Sequence, residues 1–212
     1  MMQTSTRRGP GRPPAAKSAL TRGRILHAAR EVFTEVGFDA ATFQEIANRA
    51  DLTRPAINHY YASKHALFRH VVEQANAAVI AAGLEQAGQE KTFPGRVRAF
   101  LEASVQARDS DRSAAAFLVA SVMEYQRHPE LNGDDTQSME LTRQFTKELI
   151  RDGITSGELR PDLNTRAAAE MLVAAFWGLG FYAGLVGDTK KVSMVTGQFL
   201  ALLENGGWLT SG

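Results

Sequence analysis

Apolar residues recur along most of the chain with the three- or four-residue spacing that is typical of amphipathic helices. In the stretch after Thr21, one helical face is formed by Ile25, Ala29, Val32, Phe33 and Val36. No stretch alternates apolar and polar residues with the period of two expected for a half-buried strand. The pattern therefore predicts an all-α chain.

The N-terminal segment differs from the rest of the chain in composition. Residues 1–20 consist mainly of Arg, Pro, Gly, Ser, Thr and Ala, with too few large apolar side chains to offset the entropy lost on ordering. They are predicted to form a flexible arm. The first helix is expected to be capped by Thr21 and to end at Gly37, because glycine readily adopts the left-handed conformation that stops a helix.

A helix-turn-helix unit is predicted over residues 42–61. Its first helix starts with a capping box, since Glu45 follows Thr42 by three residues. A short turn at Asp51–Leu52 separates this helix from a second one, which Thr53 can cap.

The rest of the chain is predicted to form longer helices. After a helix that starts at Ser63 and reaches about Gly83, proline and glycine positions divide the sequence into helices at about residues 94–109, 112–127, 129–155, 164–186 and 190–204. The most apolar run, Met171–Val186, would span only about 24 Å as a helix, whereas the hydrocarbon layer of a membrane is about 30 Å thick. We therefore expect a helix that is buried on most of its circumference, and no membrane association.

Charge is distributed unevenly, although the formal net charge is only +1. Residues 1–70 hold 11 basic and 5 acidic residues, a balance of +6, and the remaining 142 residues carry −5. This asymmetry is typical of an anion-binding module, most often for nucleic acid, that is joined to a second module. The absence of cysteine excludes disulfide bonds, thiolate metal sites and cysteine nucleophiles.

The second helix of the helix-turn-helix unit carries polar groups suited to reading base pairs. Its outward-facing residues are expected to be Thr53, Arg54, Asn58 and His59. Arg54 can donate two hydrogen bonds to guanine, and Asn58 can pair with adenine. The alternative is a three-helix core whose charged side chains simply face water.

Residues 21–72, TRGRILHAAREVFTEVGFDAATFQEIANRADLTRPAINHYYASKHALFRHVV, resemble the TetR family of transcriptional regulators. They match its N-terminal signature through the first helix, the glycine stop, Thr-x-x-x-Ile-Ala, the recognition helix and Ser-Lys-x-x-Leu. The resemblance implies a three-helix DNA-binding head, a variable helical ligand domain and a homodimer.

By position, the resemblance also implies which residues contact DNA. Those that would face bases are Arg54, Pro55, Ala56 and Asn58. Those that would contact the phosphate backbone are Thr42, Thr53, His59, Tyr60 and Lys64. The chain departs from the family at Asp51, where glycine is usual, and at Asn58, where tyrosine is frequent.

The arm carries a second basic motif. Residues 7–14, RRGPGRPP, resemble the Gly-Arg-Pro core of an AT-hook, in which an extended arginine, here Arg12, lies in a narrow minor groove. The alternative is a solvated basic tail with only non-specific affinity for DNA.

Residues 67–212, which follow the DNA-binding head and which we call the body, show no catalytic or metal-binding pattern. The histidines form no His-Glu-x-x-His or Glu-x-x-His arrangement, and neither a Gly-x-Ser-x-Gly nor a Walker motif occurs. We therefore expect no enzyme activity, no cofactor and no metal.

Bulky apolar side chains in the body suit a cavity for a small molecule, although an ordinary helical core is the alternative. The residues predicted to line the cavity are Phe100, Ser104, Phe117, Ser121, Met123, Gln144, Phe145, Glu148 and Phe176. The interface between two copies is predicted at Trp177, Phe181, Met194, Gln198, Phe199 and Leu202. In the resembled family, such a cavity binds a small molecule that changes the spacing of the two heads.

These observations predict an arm (1–20), a helix-turn-helix DNA-binding domain (21–66) and a ligand-binding and dimerisation domain (67–212). The expected function is that of a cytoplasmic, homodimeric repressor that binds a palindromic operator in double-stranded DNA. Because thiol and metal signals are excluded, a small apolar effector is expected to release it. The alternatives are an architectural DNA-binding protein with a purely structural body and a helical-bundle enzyme that uses the apolar cavity.

Overall fold

The structure, a computed structural model, describes residues 14–131, 137–205 and 207–209. Its helices are α1 (Pro14–Ala40), α2 (Phe43–Arg49), α3 (Arg54–Tyr60), α4 (Lys64–Ala87), α5 (Phe93–Ser110), α6 (Arg112–Arg127), α7 (Gln137–Thr155), α8 (Thr165–Val186) and α9 (Thr189–Asn205). Within these ranges no sheet forms, and an isolated β-bridge joins Leu159 to Leu209. The all-α prediction is confirmed.

Helix α1 begins earlier than the composition of the arm indicated. It starts at Pro14 rather than at Thr21, so the flexible arm predicted over residues 1–20 is wrong for its last part. The residues after Pro14 are mostly good helix formers, and proline is tolerated in the first turn because the N–H that it lacks has no partner there. The remainder of the arm, residues 1–13 with Arg12, lies outside the described residues.

Gly37 interrupts α1 where a glycine stop was predicted, but α1 continues to Ala40 and Gly37 does not adopt the left-handed helical conformation that was expected. Its φ of 77° and ψ of 176° lie in a region that is accessible essentially only to glycine. The last turn, which follows this kink, brings Phe38 into the core. There its ring lies 6.0 Å from that of Phe33 and 5.3 Å, edge-on, from that of Phe68.

The single helix predicted over residues 129–155 is divided. Pro129–Leu131 forms a 3₁₀ turn, and α7 begins only at Gln137. The residues between them, 132–136, lie outside the described residues. The fourth helix continues beyond the expected end at Gly83 as far as Ala87, and the other body helices agree with prediction within about two residues.

Two hydrophobic cores organise the described chain. The first is formed by α1 to α4 and is completed by Phe117 and Leu118 of α6 and by Leu131. The second is formed by α5, α7, α8 and α9 together with Ile80 and Ala87 from the second half of α4. Helix α4 is therefore shared by both cores, and it connects the N-terminal helices to the rest of the chain.

The second core contains an aromatic stack around Phe100. Its ring is stacked between those of Phe145 and Phe176, at centroid distances of 5.0 and 4.7 Å. Helix α5 approaches α4 closely here because Gly83 has no side chain. A Cβ at Gly83 would lie 2.7 Å from Phe100 Cδ2 and 2.8 Å from Ser104 Oγ.

Helix α8 is less buried in the single chain than its composition indicated. It is the one described helix that is long and apolar enough to cross a membrane, a test that core helices of soluble proteins also pass. Only 22% of its most apolar window is buried, so the predicted burial on most of its circumference is wrong for one copy. Helices α6, α7 and α9 cover one side of α8 and leave Met171, Phe181 and Leu185 exposed.

Substituting Gly83 by Ala should lower the free energy of unfolding by about 1–3 kcal/mol. The added methyl group would overlap the ring of Phe100, which cannot easily move because it is stacked with Phe145 and Phe176. Gly23→Ala is a matched control, since a Cβ at this helical glycine would meet nothing within 4 Å. It should raise stability by up to about 1 kcal/mol through helix propensity. Denaturant unfolding of both variants tests this, and equal effects would contradict the close α4–α5 contact.

Candidate functional site

The helix-turn-helix forms as its local sequence predicts. The Thr42 hydroxyl accepts a hydrogen bond from the Glu45 amide at 3.1 Å and caps α2. The Thr53 hydroxyl accepts one from the Ala56 amide at 3.4 Å and caps α3. Both threonines are exposed, so each hydroxyl can also donate a hydrogen bond to a group outside the protein.

The turn between α2 and α3 is held by an arginine that the sequence did not single out. Asp51 has a φ of 51°, the left-handed conformation expected at this position. The Arg24 guanidinium of α1 donates hydrogen bonds to the Ala50 carbonyl, to the Asp51 carbonyl at 2.9 Å and to the Asp51 carboxylate at 3.2 Å. Arg24 thereby fixes the turn that sets α3 against α2.

Helix α3 presents one side to the core and the other to solvent. Ile57 is fully buried, and Tyr61, directly after the helix, is also buried. The residues that are exposed are Thr53, Arg54, Pro55, Asn58 and His59, while Ala56 and Tyr60 are half-buried. The outward-facing set predicted from the sequence is thus on one accessible surface, which we call the α3 face.

Lys64 has an internal role that the sequence did not reveal. Its ammonium group donates hydrogen bonds to the carbonyls of Asp39 at 2.9 Å and Ala41 at 3.1 Å, and it lies 4.5 Å from the centroid of the Phe38 ring. Burial lowers the pKa of Lys64, and the charge of Asp39 opposes that shift. Lys64 therefore ties α4 to the end of α1, and its predicted phosphate contact would have to coexist with these bonds.

His128, which follows α6, lies between carboxylates of the head and of the body. Its Nε2 is 3.2 Å from an Asp39 oxygen and 3.9 Å from a Glu124 oxygen, and its Nδ1 is 3.0 Å from a Glu130 oxygen. The hydrogen bond with Glu130, followed by the charge of Asp39, raises the pKa of His128 above its ordinary value. The imidazolium form therefore links α1 to the body.

An apolar cleft opens between α4, α5 and α8. Of the residues predicted to line a cavity, Phe100, Ser104 and Phe176 line it, together with the unforeseen Asn76 and Trp177. Its volume is about 20 Å³, room for about one water molecule. Ser104 Oγ and Trp177 Nε1 are buried there without a hydrogen-bond partner among the described residues.

The other predicted cavity residues do not line this cleft. Phe117 belongs to the first core, the Ser121 hydroxyl donates to the Leu118 carbonyl at 2.8 Å, and Phe145 lies behind Phe100. Exposed positions are taken by Met123, Gln144 and Glu148. On α7 the reason is helical periodicity, because burial of Phe145 and Leu149 turns the preceding residues outward, where Gln144 donates to Glu148 at 3.2 Å.

An exposed apolar surface, the α8–α9 face, lies on the last two helices. Its large side chains are between 40% and 68% exposed, and they are Phe181, Leu185, Met194, Leu202 and Met171. Of the predicted interface residues, Gln198 is also exposed, Phe199 is half-buried against the second core, and Trp177 lines the cleft.

Comparisons with known proteins agree with this architecture. Residues 25–71 match the family model described as bacterial regulatory proteins, tetR family, and residues 94–196 match that of the BetI-type transcriptional repressor C-terminal domain. The chain is 30% identical over 184 residues to the uncharacterized HTH-type transcriptional regulator YezE of Bacillus subtilis, covering 85% of this chain and 94% of YezE.

Two further relatives extend the comparison. The chain is 27% identical over 159 residues to the HTH-type transcriptional regulator UidR of Escherichia coli K12, covering 75% of this chain and 79% of UidR. The solved structure of FadR from Bacillus subtilis in complex with stearoyl-CoA superposes with a TM-score of 0.70 at 17% identity, covering 87% of this chain and 98% of FadR. These relatives are transcriptional regulators rather than enzymes.

The contact between His128 and Asp39 should depend on pH. Because the pKa of His128 is raised on folding, the contact stabilises the fold fully below the unfolded pKa of about 6.5 and is lost as pH rises through the folded value. A double-mutant cycle of His128→Gln and Asp39→Asn in denaturant unfolding should give a coupling at about pH 6 that disappears near pH 9.

His65 and Lys64 also face this cluster from α4, with His65 Nε2 3.8 Å from Glu130. The separate contributions of His65 and Lys64 cancel in the cycle, because both residues are present in all four proteins. A coupling energy that is the same at both pH values would contradict an ionic contact.

Proposed function

The chain belongs to the TetR family of helix-turn-helix transcriptional regulators, and from this premise we propose that it is a homodimeric repressor with a palindromic operator. A small apolar effector releases it from DNA, and it acts in the cytoplasm. The observation that carries the proposal is the α3 face, where Arg54 and Asn58 are exposed at the start and middle of the recognition helix. A related C-terminal domain is described as that of a transcriptional repressor.

The α3 face has the chemistry for direct readout in the major groove. Within the described residues, Arg54 forms no ion pair, so its guanidinium is available to donate to guanine O6 and N7. Asn58, one turn later on the same side, can pair with an adenine. Thr42 and Thr53 then lie at the two helix starts, where their hydroxyls can donate to flanking phosphates.

Replacing Arg54 by Ala should weaken operator binding by about 1–3 kcal/mol and relax the preference at one base pair of each half-site. The operator is first obtained by repeated selection of bound sequences from a pool of random duplex DNA, and both proteins are then titrated with it. The matched control is Arg151→Ala on the exposed surface of α7, which should leave affinity unchanged.

Two outcomes of that selection would count against the proposal. An Arg54→Ala protein that selects the same sequence with the same affinity would remove Arg54 from base readout. A pool that never converges on a palindrome would favour the architectural DNA-binding alternative, because two-fold symmetric heads require two symmetric half-sites.

Dimerisation through the α8–α9 face would cover five of the ten large apolar side chains that the described residues leave exposed. Monomeric soluble proteins rarely expose contiguous apolar patches of this kind. Regulators of this family act as dimers, and two helices from each of two copies form the four-helix interface that such a patch requires. The exposed half of the apolar helix α8 is then explained by a second copy rather than by a membrane.

Substituting Phe181 by Lys should raise the dimer dissociation constant by at least about thirtyfold, since a charge would be buried in an apolar interface. Sedimentation equilibrium measures this directly. Leu20→Lys on α1 is the matched control, because Leu20 is 51% exposed and Phe181 is 40% exposed, but Leu20 lies outside the α8–α9 face. Equal effects of the two substitutions would exclude this face as the interface.

The apolar cleft is the proposed effector site. Its walls are mainly apolar, and the buried Ser104 hydroxyl and Trp177 indole offer a ligand hydrogen bonds that the described residues do not satisfy. An effector must displace the Phe100–Phe176 stack to enter, because the cleft has room for only about one water molecule. FadR, which shares the fold, binds stearoyl-CoA in its crystal structure, and this supports a predominantly apolar effector here.

A further inference from the structure

A second cavity, distinct from the effector cleft, lies where the head packs on the body. It has a volume of about 290 Å³, close to the lower end of small-molecule sites. One wall is α1, with Gly23, His27 and Arg30; the others are the middle of α4 and the junction of α5 and α6 at Asp111. We propose that this cavity, which we call the hinge cavity, binds a compact organic acid with an apolar body.

The acidic group is indicated by Arg30. Its side chain is only 16% exposed, and its Nη1 donates to Asp111 Oδ2 at 2.8 Å. The buried Nε of the same guanidinium has no hydrogen-bond partner in the described parts of the chain. A charged donor left without an acceptor is costly, and a ligand carboxylate would satisfy it.

Asp111 does not supply that acceptor, although its negative charge faces the same cavity. Its Oδ2 accepts from Arg30 Nη1, and its Oδ1 accepts from the Ala114 amide at 3.0 Å to cap α6. The carboxylate is thus held by bonds at both oxygens, and neither of these bonds involves Arg30 Nε. His27, one turn before Arg30 on the same wall, is the second basic side chain among the described residues that line the cavity.

The apolar body of the ligand is indicated by the floor of the cavity. Alanines at positions 75, 78, 107, 114 and 115 form most of it, together with Val79 and Leu118. Because these side chains are short, the space between α4 and α6 is not filled. Val79 also lines the effector cleft, so the two sites share a wall but have different polar groups.

A ligand in the hinge cavity would contact the head and the body at once. Arg30 belongs to α1, whereas Asp111 lies at the α5–α6 junction, and their ion pair already joins the two parts. A ligand that bridges them favours one relative orientation and therefore changes operator affinity. This consequence rests on the proposed function, whereas binding itself does not.

The test uses the full chain, with 2-naphthoate as the probe and its uncharged isostere 2-naphthamide as the comparison. Isothermal titration should show naphthoate binding at least about tenfold more tightly than naphthamide. Arg30→Met should reduce that preference to about twofold or less. Naphthoate that does not bind at about 10 mM, or binds no better than naphthamide, would overturn the proposal.

Filling the cavity provides a test that does not touch the Arg30–Asp111 pair. Ala78 lines the cavity from an exposed position of α4, and Ala77 is its exposed neighbour outside the lining. Ala78→Phe should weaken naphthoate binding at least about tenfold, and Ala77→Phe should change it by less than about twofold. Equal effects of the two substitutions would overturn the location.

A variant of the effector cleft separates the two sites. Ser104→Ala alters the effector cleft alone, because it adds no atoms to the tight α4–α5 contact and Ser104 does not line the hinge cavity. Naphthoate affinity should be unchanged in this variant, and a loss comparable to that of Ala78→Phe would place the ligand in the effector cleft instead. A selection of duplex DNA that never converges on a palindrome would remove the proposed function but leave these titrations unaffected.

Discussion

Helix α4 is shared between two hydrophobic cores, and this sharing couples the packing of the N-terminal helices to that of the rest of the chain. Leu67, Phe68 and Val71 are buried with α1 to α3, while Ile80 and Gly83 lie against α5. Packed cores have a few discrete arrangements and do not deform continuously. A rearrangement of the second half of α4 at the effector cleft therefore alters the fit of its first half beneath the recognition helix.

Polar contacts on either side of α4 determine how firmly the head is held. Lys64 bonds to carbonyls at the end of α1, Arg30 pairs with Asp111, and His128 faces Asp39. All are partly exposed, so screening by solvent keeps each of them weak. Couplings between ligand and DNA sites are typically about 1–3 kcal/mol, which means that contacts of this strength can be gained or lost within the energy that one effector supplies.

The parts of the structure that the sequence predicted well depend on residues within about four positions of each other. Thr42 and Thr53 cap their helices and Gly37 interrupts α1, because each is decided by local geometry. The outward direction of the α3 face follows from helical periodicity once Ile57 is assigned to the core. The family resemblance and the helical periodicity both predict that Arg54 and Asn58 of α3 face outward.

The parts that the sequence did not predict depend on residues brought together only by folding. Arg24 reaches a turn 27 positions away, and His128 faces a carboxylate on another helix. The cavity prediction failed at Gln144 and Glu148 for a different reason: they were chosen as polar anchors by residue type. The burial of Phe145 shows that periodicity along α7 could have excluded them.

The effect of a shift of α4 on DNA binding depends on how the bodies of two copies are held together. Within one copy, a shift of α4 moves a head relative to its own body, which alone does not change how well the head fits a half-site. In the proposed dimer, the α8–α9 faces would fix the two bodies to each other, so the same shift would change the distance between two recognition helices. Half-sites are separated by a fixed helical repeat of DNA, so this distance is what an effector or a hinge-cavity ligand would alter. Under the proposal, the apolar surface that one copy leaves exposed is therefore needed for a small displacement at α4 to change operator affinity.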